Sequence, residues 1–259
     1  MRLYISSILG LEDAASYDAA SLRINPYRQE KLQRLQREAD KKRCVLAGLL
    51  ENYVFYHYRE KADRDADTSW KQPEYDPGTP RKQPGHVFQP EGESLVQELF
   101  VKQLLSIPQQ RFTLQRTDGG KPFFSGEEGL YYNLSHSGEY VLCGVADRSI
   151  GVDLQKADKP VRDALAKRVM TAEEYEAYLG IKAAQRQDFF YKRWTAKEAY
   201  AKWTGKGLSE EFCSLFADLP GARVISHITG KAATLHMETW KDTYYIGMCY
   251  EGKGEGKPL

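Results

Sequence analysis

The 259-residue chain has no long hydrophobic run: no stretch of about 18 consecutive apolar residues is available to cross a bilayer, so a soluble protein with no membrane partner is expected. An excess of charge of one sign is also missing. Lys and Arg number 37 against 36 Asp and Glu, a formal net charge of +1, so no global field draws the chain to nucleic acid or an anionic surface. Any anion site has to be local. Cysteine is sparse: Cys44, Cys143, Cys213 and Cys249 stand far apart, without metal-ligand spacing, in apolar stretches where a thiol packs as a small hydrophobe. A reduced, cytoplasmic protein fits that usage. The opening MRLYISSILGLED has no extended basic region and turns acidic before a cleavage site, so it reads as a strand and not as a signal peptide. No repeat is visible by identity, and no G-x-S-x-G elbow accompanies the Ser-His-Ser of residues 135–137, which leaves little for a hydrolase reading.

What is present is a mixture of helical and strand patterns, an α+β class. Asn25 before Pro26 is a helix start, because the Asn side chain can accept from early backbone N–H groups and Pro loses no needed donor there. Leu32, Leu35, Ala39, Leu46, Leu49 and Leu50 then recur at mostly helical intervals through about Tyr58, with a break near Asp40. Periodicity is lost from Glu60 to Glu93 among prolines, glycines and charges, which predicts an insertion or surface loop over 60–93. LVQELFVKQLLSI predicts an amphipathic helix ending at Pro108, followed by an RFTLQRT strand and a turn at Asp118-Gly119-Gly120. Strands follow over 139–146 and 149–155. Thr171 and Glu174 form a capping box for a helix closed by Gly180, and a longer helix runs from about Ala184 to Trp203, ended by Gly205 and Gly207. Strands at 223–229, 232–239 and 243–250 complete the pattern.

Alternation places Asp153 and Gln155 of GVDLQ on one strand face, with Val152 and Leu154 on the other. Helical spacing puts Trp194, Glu198 and Lys202 of the 184–203 segment on one face. Magnesium takes oxygen ligands, commonly one or two carboxylates with water and substrate phosphates, so Asp153 and Glu198 could hold a metal-bound pyrophosphate while Lys202 neutralises a phosphate oxygen. Each feature alone has an ordinary alternative. A Glu-Lys pair four apart is common on helix surfaces, Trp194 suits packing, and the basic cluster from Tyr27 to Arg43 suits a solvated face.

Taken in order, TDGGKPFF, NLSHS, GVDLQ and RWTAKEAYAKWTGKGL resemble the signature of the surfactin-type (Sfp-like) 4'-phosphopantetheinyl transferase family. The resemblance spans Thr117 to Leu208 and departs at Gln155, where the family usually has an acid. It implies two similar α+β halves, residues 1–147 and 148–259, forming a pseudodimer within one monomeric chain, with coenzyme A in the cleft between them. It further implies transfer of phosphopantetheine from coenzyme A to a serine of an apo carrier protein. Asp153, Glu198 and, through its amide oxygen, Gln155 match the magnesium site; Glu198 is also the candidate general base, and Lys202 the lysine on the phosphates. Lys121 matches a residue reaching the same anion from the other half, and Ser135 and His136 a pair on the 3'-phosphate. Lys31, Arg34 and Arg43 lie where the family places basic contacts to the adenosine end. The rival implied by Gln155 is a coenzyme A-binding homologue without catalysis, acting as a sensor or scaffold.

Overall fold

Alternating burial sets the first strand: in β1 (Arg2–Ser7), Leu3 and Ile5 point to one core and Tyr4 to another. The computed structural model describes residues 1–67, 94–207 and 211–252. After β1 come α1 (Ala14–Ser21), α2 (Pro26–Gln33), α3 (Glu38–Asp67), β2 (Val96–Glu98), α4 (Val101–Ser106), β3 (Leu114–Arg116), β4 (Pro122–Phe124), β5 (Tyr131–Ser137) and β6 (Tyr140–Ala146). The chain continues through β7 (Ile150–Lys156), α5 (Asp163–Val169), α6 (Ala172–Gly180), α7 (Ala183–Thr204), β8 (Leu215–Asp218), β9 (Arg223–Ser226), β10 (Ala232–Trp240) and β11 (Tyr244–Tyr250). The class is α+β, as the sequence predicts. No helix among the described residues is long and apolar enough to cross a membrane.

Two main sheets have the orders β2-β1-β6-β5 and β7-β11-β10-β9-β8, and β3 and β4 form a separate hairpin. A common arrangement recurs: β1 lies antiparallel to β6, which pairs with β5, and β7 lies antiparallel to β11, which pairs with β10. The sheets meet face to face through Leu3, Ile5, Leu142, Val152, Leu154 and Ile246. On the outer faces, α3 covers the first sheet through Val45, Leu46, Leu49 and Leu50, and α7 covers the second through Ala196, Ala199, Tyr200 and Trp203. Val152 and Leu154 therefore bury between the sheets, and Asp153 and Gln155 face α7. Gly151 makes the close packing of α7 possible, since a Cβ there would run into the Ala199 carbonyl and the Trp203 nitrogen.

Several elements differ from the sequence pattern for identifiable reasons. Asn25 caps α2 as expected, accepting from the Tyr27 N–H at 3.0 Å. The helical break falls at 34–37, before Asp40, because the N–H groups of Arg34 and Leu35 reach back only three residues, to Lys31 and Leu32, and tighten the last turn. Beyond Tyr58, α3 continues to Asp67, since REKADRDAD contains no proline or glycine to stop it. The rest of the predicted insertion, 68–93, lies outside the described residues. LVQELFVKQLLSI is not one helix: Val96–Glu98 pairs in parallel with β1, and the helix begins only at Val101. Edge pairing to a distant strand leaves no helical or alternating period of its own in three residues.

The capping box holds and carries more than a cap. Glu174 accepts from the Thr171 N–H at 2.9 Å with Oε2 and from the Ala217 N–H at 2.9 Å with Oε1, and it pairs with the fully buried Lys197 of α7. Lys197 also donates to the carbonyls of Val169 at 2.9 Å and Phe212 at 3.2 Å. One acid thus ties α6, α7 and β8 together. Truncation would leave a buried ammonium with no counter-charge. Glu174→Ala is expected to lose about 3–5 kcal/mol of stability, and the paired change Glu174→Leu with Lys197→Met markedly less. Urea unfolding of both variants measures this, and equal losses would mean that the pair is not coupled.

Candidate active site

β5 and β7 are edge strands of different sheets, and an edge left open exposes unpaired backbone donors. The odd positions of β5 satisfy them. Asn133 Oδ1 accepts from the Val152 N–H at 2.9 Å, Ser135 Oγ from the Leu154 N–H at 3.1 Å, and Ser137 Oγ from the Lys156 N–H at 2.9 Å. Side chains take the place of a backbone ladder along this seam. The even positions, Tyr132 and Leu134, turn to the core beneath α3. N-x-S-x-S is the polar half of an alternating strand.

Asp153 is 1% exposed at the centre of the seam. Its Oδ1 accepts from Ser135 Oγ at 2.8 Å and from Lys202 Nζ at 2.6 Å, and its Oδ2 from Gln155 Nε2 at 2.9 Å. Lys202 also donates to Ser135 Oγ at 2.8 Å. Glu198, one turn earlier on α7, is half-buried. Burial, and then the neighbouring Asp153 charge, push its pKa up to about 7 against the opposing pull of Lys202. Two acids and one lysine from β7 and α7 thus face a serine from β5, in a setting where one acid exchanges its proton near neutral pH.

Beside this group lies a cavity of about 330 Å³, lined among others by Tyr27, Lys31, Arg43, Arg116, Ser135 and His136. Its floor includes Arg28, whose charge is consumed by a bidentate pair with buried Glu51 at 2.6 Å, joined by the Tyr132 hydroxyl at 3.1 Å. Arg43 is held by the Gly138 carbonyl at 2.8 and 3.0 Å and by Asp40 at 2.6 Å. His136 keeps an exposed side chain at the cavity, where partial desolvation and then the positive charges of Arg43, Lys202 and Lys31 push its pKa down. The cavity has the positive lining that an anionic ligand requires.

The structure brings Lys31, Arg43, Ser135, His136, Asp153, Gln155, Glu198 and Lys202 to this region. Arg34 is the exposed C-cap residue of α2 and does not line the cavity. Lys121 turns to the end of α7, where Nζ donates to the carbonyl of Ile150 at 2.6 Å and that of Trp203 at 3.5 Å; burial lowers its pKa to about 8. Trp194 packs against Phe190 and Phe212. Arg116 and Tyr27 were not separable as site residues by sequence. The signal for Arg116 was the hairpin itself, whose register sets it opposite Pro122 and beside Tyr27, with its guanidinium 5.1 Å from that ring. Among the described residues no group of three His, Cys, Asp or Glu stands together as a metal cluster; the oxygen donors here are two carboxylates and an amide.

Residues 149–249 match the family model described as 4'-phosphopantetheinyl transferase superfamily, and residues 92–147 the model described as 4'-phosphopantetheinyl transferase, N-terminal. The chain is 33% identical over 128 residues to the 4'-phosphopantetheinyl transferase psf-1 of Bacillus pumilus, covering 49% of this chain and 54% of that protein. Against the 4'-phosphopantetheinyl transferase Sfp of Bacillus subtilis (strain 168) it is 35% identical over 119 residues, 46% of this chain and 52% of that one. The chain therefore spans about half the length of these curated relatives. A holo-(acyl-carrier-protein) synthase from Bacillus anthracis str. Ames, solved in complex with CoA (3',5'-ADP), overlaps 39% of this chain and 92% of its own at 22% identity and a TM-score of 0.33.

The raised Glu198 pKa has a consequence for stability. Between its ordinary value of 4.5 and about 7, the folded chain keeps a proton that the unfolded chain has released, so stability falls as pH rises through this window. Glu198→Gln removes the ionisation penalty. The variant is expected to be more stable than the parent by about 1–3 kcal/mol at pH 8 and equal to it at pH 4. Denaturant titrations at the two pH values test this; equal stability at pH 8 would show that Glu198 ionises freely.

Proposed function

From a chain that belongs to the 4'-phosphopantetheinyl transferase superfamily, we propose an enzyme that moves the 4'-phosphopantetheine of coenzyme A onto a serine of an apo acyl or peptidyl carrier protein, releasing 3',5'-ADP. The observation that carries the reading is the adjacency of the basic cavity to the Asp153, Glu198 and Lys202 group, joined by Ser135 and His136. A ligand with phosphates at two places suits two neighbouring sites of this kind. The phosphates of the nucleotide end lie against Lys31, Arg43 and His136, and the pyrophosphate against Lys202. The halves 1–147 and 148–259 act as an intramolecular pseudodimer with coenzyme A between them, a reading supported by the recurring strand arrangement. The protein works as a cytoplasmic monomer.

Magnesium fits the donors present: burial and, after it, the neighbouring Asp153 charge disfavour the ionised Glu198, a penalty that a cation would relieve. When bound, it supplies charge neutralisation on the pyrophosphate, held by Asp153, Glu198 and the Gln155 amide oxygen. The chain's own groups account for the rest. Glu198 takes the proton of the carrier serine as the serine oxygen bonds to the pantetheine-side phosphorus. The bond from that phosphorus to the bridging oxygen breaks, and the electron pair leaves with 3',5'-ADP. Lys202 offsets the charge that develops there, and the proton passes from Glu198 to solvent.

Gln155 favours a second reading, a coenzyme A-binding homologue that does not turn over, because its amide N–H occupies Asp153 Oδ2 where the family usually has an acid. Intact-mass spectrometry of apo carrier proteins incubated with the protein, magnesium and coenzyme A separates the two. A phosphopantetheine mass shift with release of 3',5'-ADP is expected, reduced at least about a hundredfold in Asp153→Ala. Coenzyme A binding with no mass shift on any carrier would establish the sensor instead.

A further inference from the structure

The serine and histidine of the NLSHS segment are adjacent in sequence but lie on opposite faces of β5. His136 faces the cavity with Lys31 and Arg43. Ser135 borders the same cavity but is 6% exposed, and its hydroxyl points across the seam. A hydroxyl offers one donor and two acceptor lone pairs. All three of Ser135 are engaged: Oγ donates to Asp153 Oδ1 at 2.8 Å and accepts from the Leu154 N–H at 3.1 Å and from Lys202 Nζ at 2.8 Å. No hydrogen remains on it to donate to a phosphate oxygen. Lys202, by contrast, spends two of its three N–H bonds on Ser135 and Asp153 and keeps one for a ligand.

We propose that Ser135 is a positioning residue, which fixes the Asp153 carboxylate and the Lys202 ammonium from the opposite half of the chain, and that His136 alone of the pair meets the ligand's 3'-phosphate. The inference rests on the transferase reading for its substrate and departs from the resemblance, which implies both residues at that phosphate. Its physical content is the seam. The Leu154 N–H orients the hydroxyl, the hydroxyl orients the carboxylate, and the lysine settles between them. Without the hydroxyl, Asp153 Oδ1 keeps only Lys202, and the pair can shift together toward solvent.

The experiment separates phosphate contact from positioning. Calorimetry gives the affinities of coenzyme A and of 3'-dephospho-coenzyme A for the parent protein, Ser135→Ala, Ser135→Thr and His136→Ala, and carrier modification at saturating coenzyme A gives kcat. For Ser135→Ala the ratio of the two affinities is expected to stay within about threefold of the parent while kcat falls by about tenfold or more. Ser135→Thr, which keeps the hydroxyl, should recover most of kcat and leave the ratio unchanged, and it carries the test if the alanine variant does not fold. His136→Ala should lower the ratio by about tenfold. A ratio that falls as far in Ser135→Ala as in His136→Ala, with kcat unchanged, would overturn the inference. So would a parent protein that binds coenzyme A no better than the dephosphorylated form. A parent protein that binds neither would overturn the transferase reading and this inference with it.

Discussion

The unpaired edge of β7 is the constraint on which the rest of the arrangement depends. A backbone ladder from β5 would merge the two sheets into one continuous surface; acceptance by Asn133, Ser135 and Ser137 side chains instead satisfies the edge while the sheets stack face to face. The stacking buries Val152 and Leu154, and the pleat then turns Asp153 toward α7. A satisfied edge and a presented carboxylate are two results of the same alternation. With Gly151 admitting the backbone of α7, Lys202 comes within 2.6 Å of that carboxylate.

Each half also secures its long helix to the helix before it by one buried acid-base pair, with opposite polarity. In the first, Glu51 of α3 takes Arg28 of α2; in the second, Lys197 of α7 takes Glu174 of α6. Buried pairs of this kind add little net stability, because desolvation offsets most of the attraction, but they penalise any packing that separates the partners. Orientation is what they secure. Arg28 is thereby removed from the cavity's free charge, leaving Lys31 and Arg116, with Arg43 partly offset by Asp40, to face it, and Lys197 is removed from the site, leaving Glu198 and Lys202. Of two adjacent residues, Lys197 and Glu198, one is structural and the other faces the site because the helix turns by about 100° between them.

Local periodicity made much of this legible before any coordinates. The capping box at Thr171, the span of α7, the opposed faces of GVDLQ and the Asn25-Pro26 helix start depend on interactions within one element, and all stand as expected. What the sequence could not show depends on distant partners. Val96–Glu98 is a strand only because β1 lies beside it, and β5 was hidden because its polar positions look like a loop unless the β7 edge is known. Ser135 and Lys121 were visible as polar groups in suggestive strings, but their partners are Asp153 and the end of α7. A string of residues specifies which groups are present, and only the packing decides what each is spent on.

Two ties cross between the halves near the C-terminal end of α7, at Lys202 and at Trp203, and together they bear on how rigid the candidate site is. At one, Ser135 holds Lys202 and Asp153. At the other, the turn at Asp118-Gly119-Gly120 lies so close to α7 that a side chain at Gly119 would strike the Gly205 carbonyl, and Lys121 donates to the carbonyls of Ile150 and Trp203. A cation at the C-terminal end of a helix meets the negative pole of its dipole, so Lys121 is favourably placed even without a carboxylate partner. Because it is bound to β7 and α7 at once, any motion of the end of α7 along β7 must break the contacts of both ties. Lys202 and Asp153 are thus held in place before a ligand arrives, and donors that are already oriented avoid a reorganisation penalty when charge develops. With only one of the two ties, the end of α7 could shift along β7, and Lys202 would trade its contact with Asp153 for water.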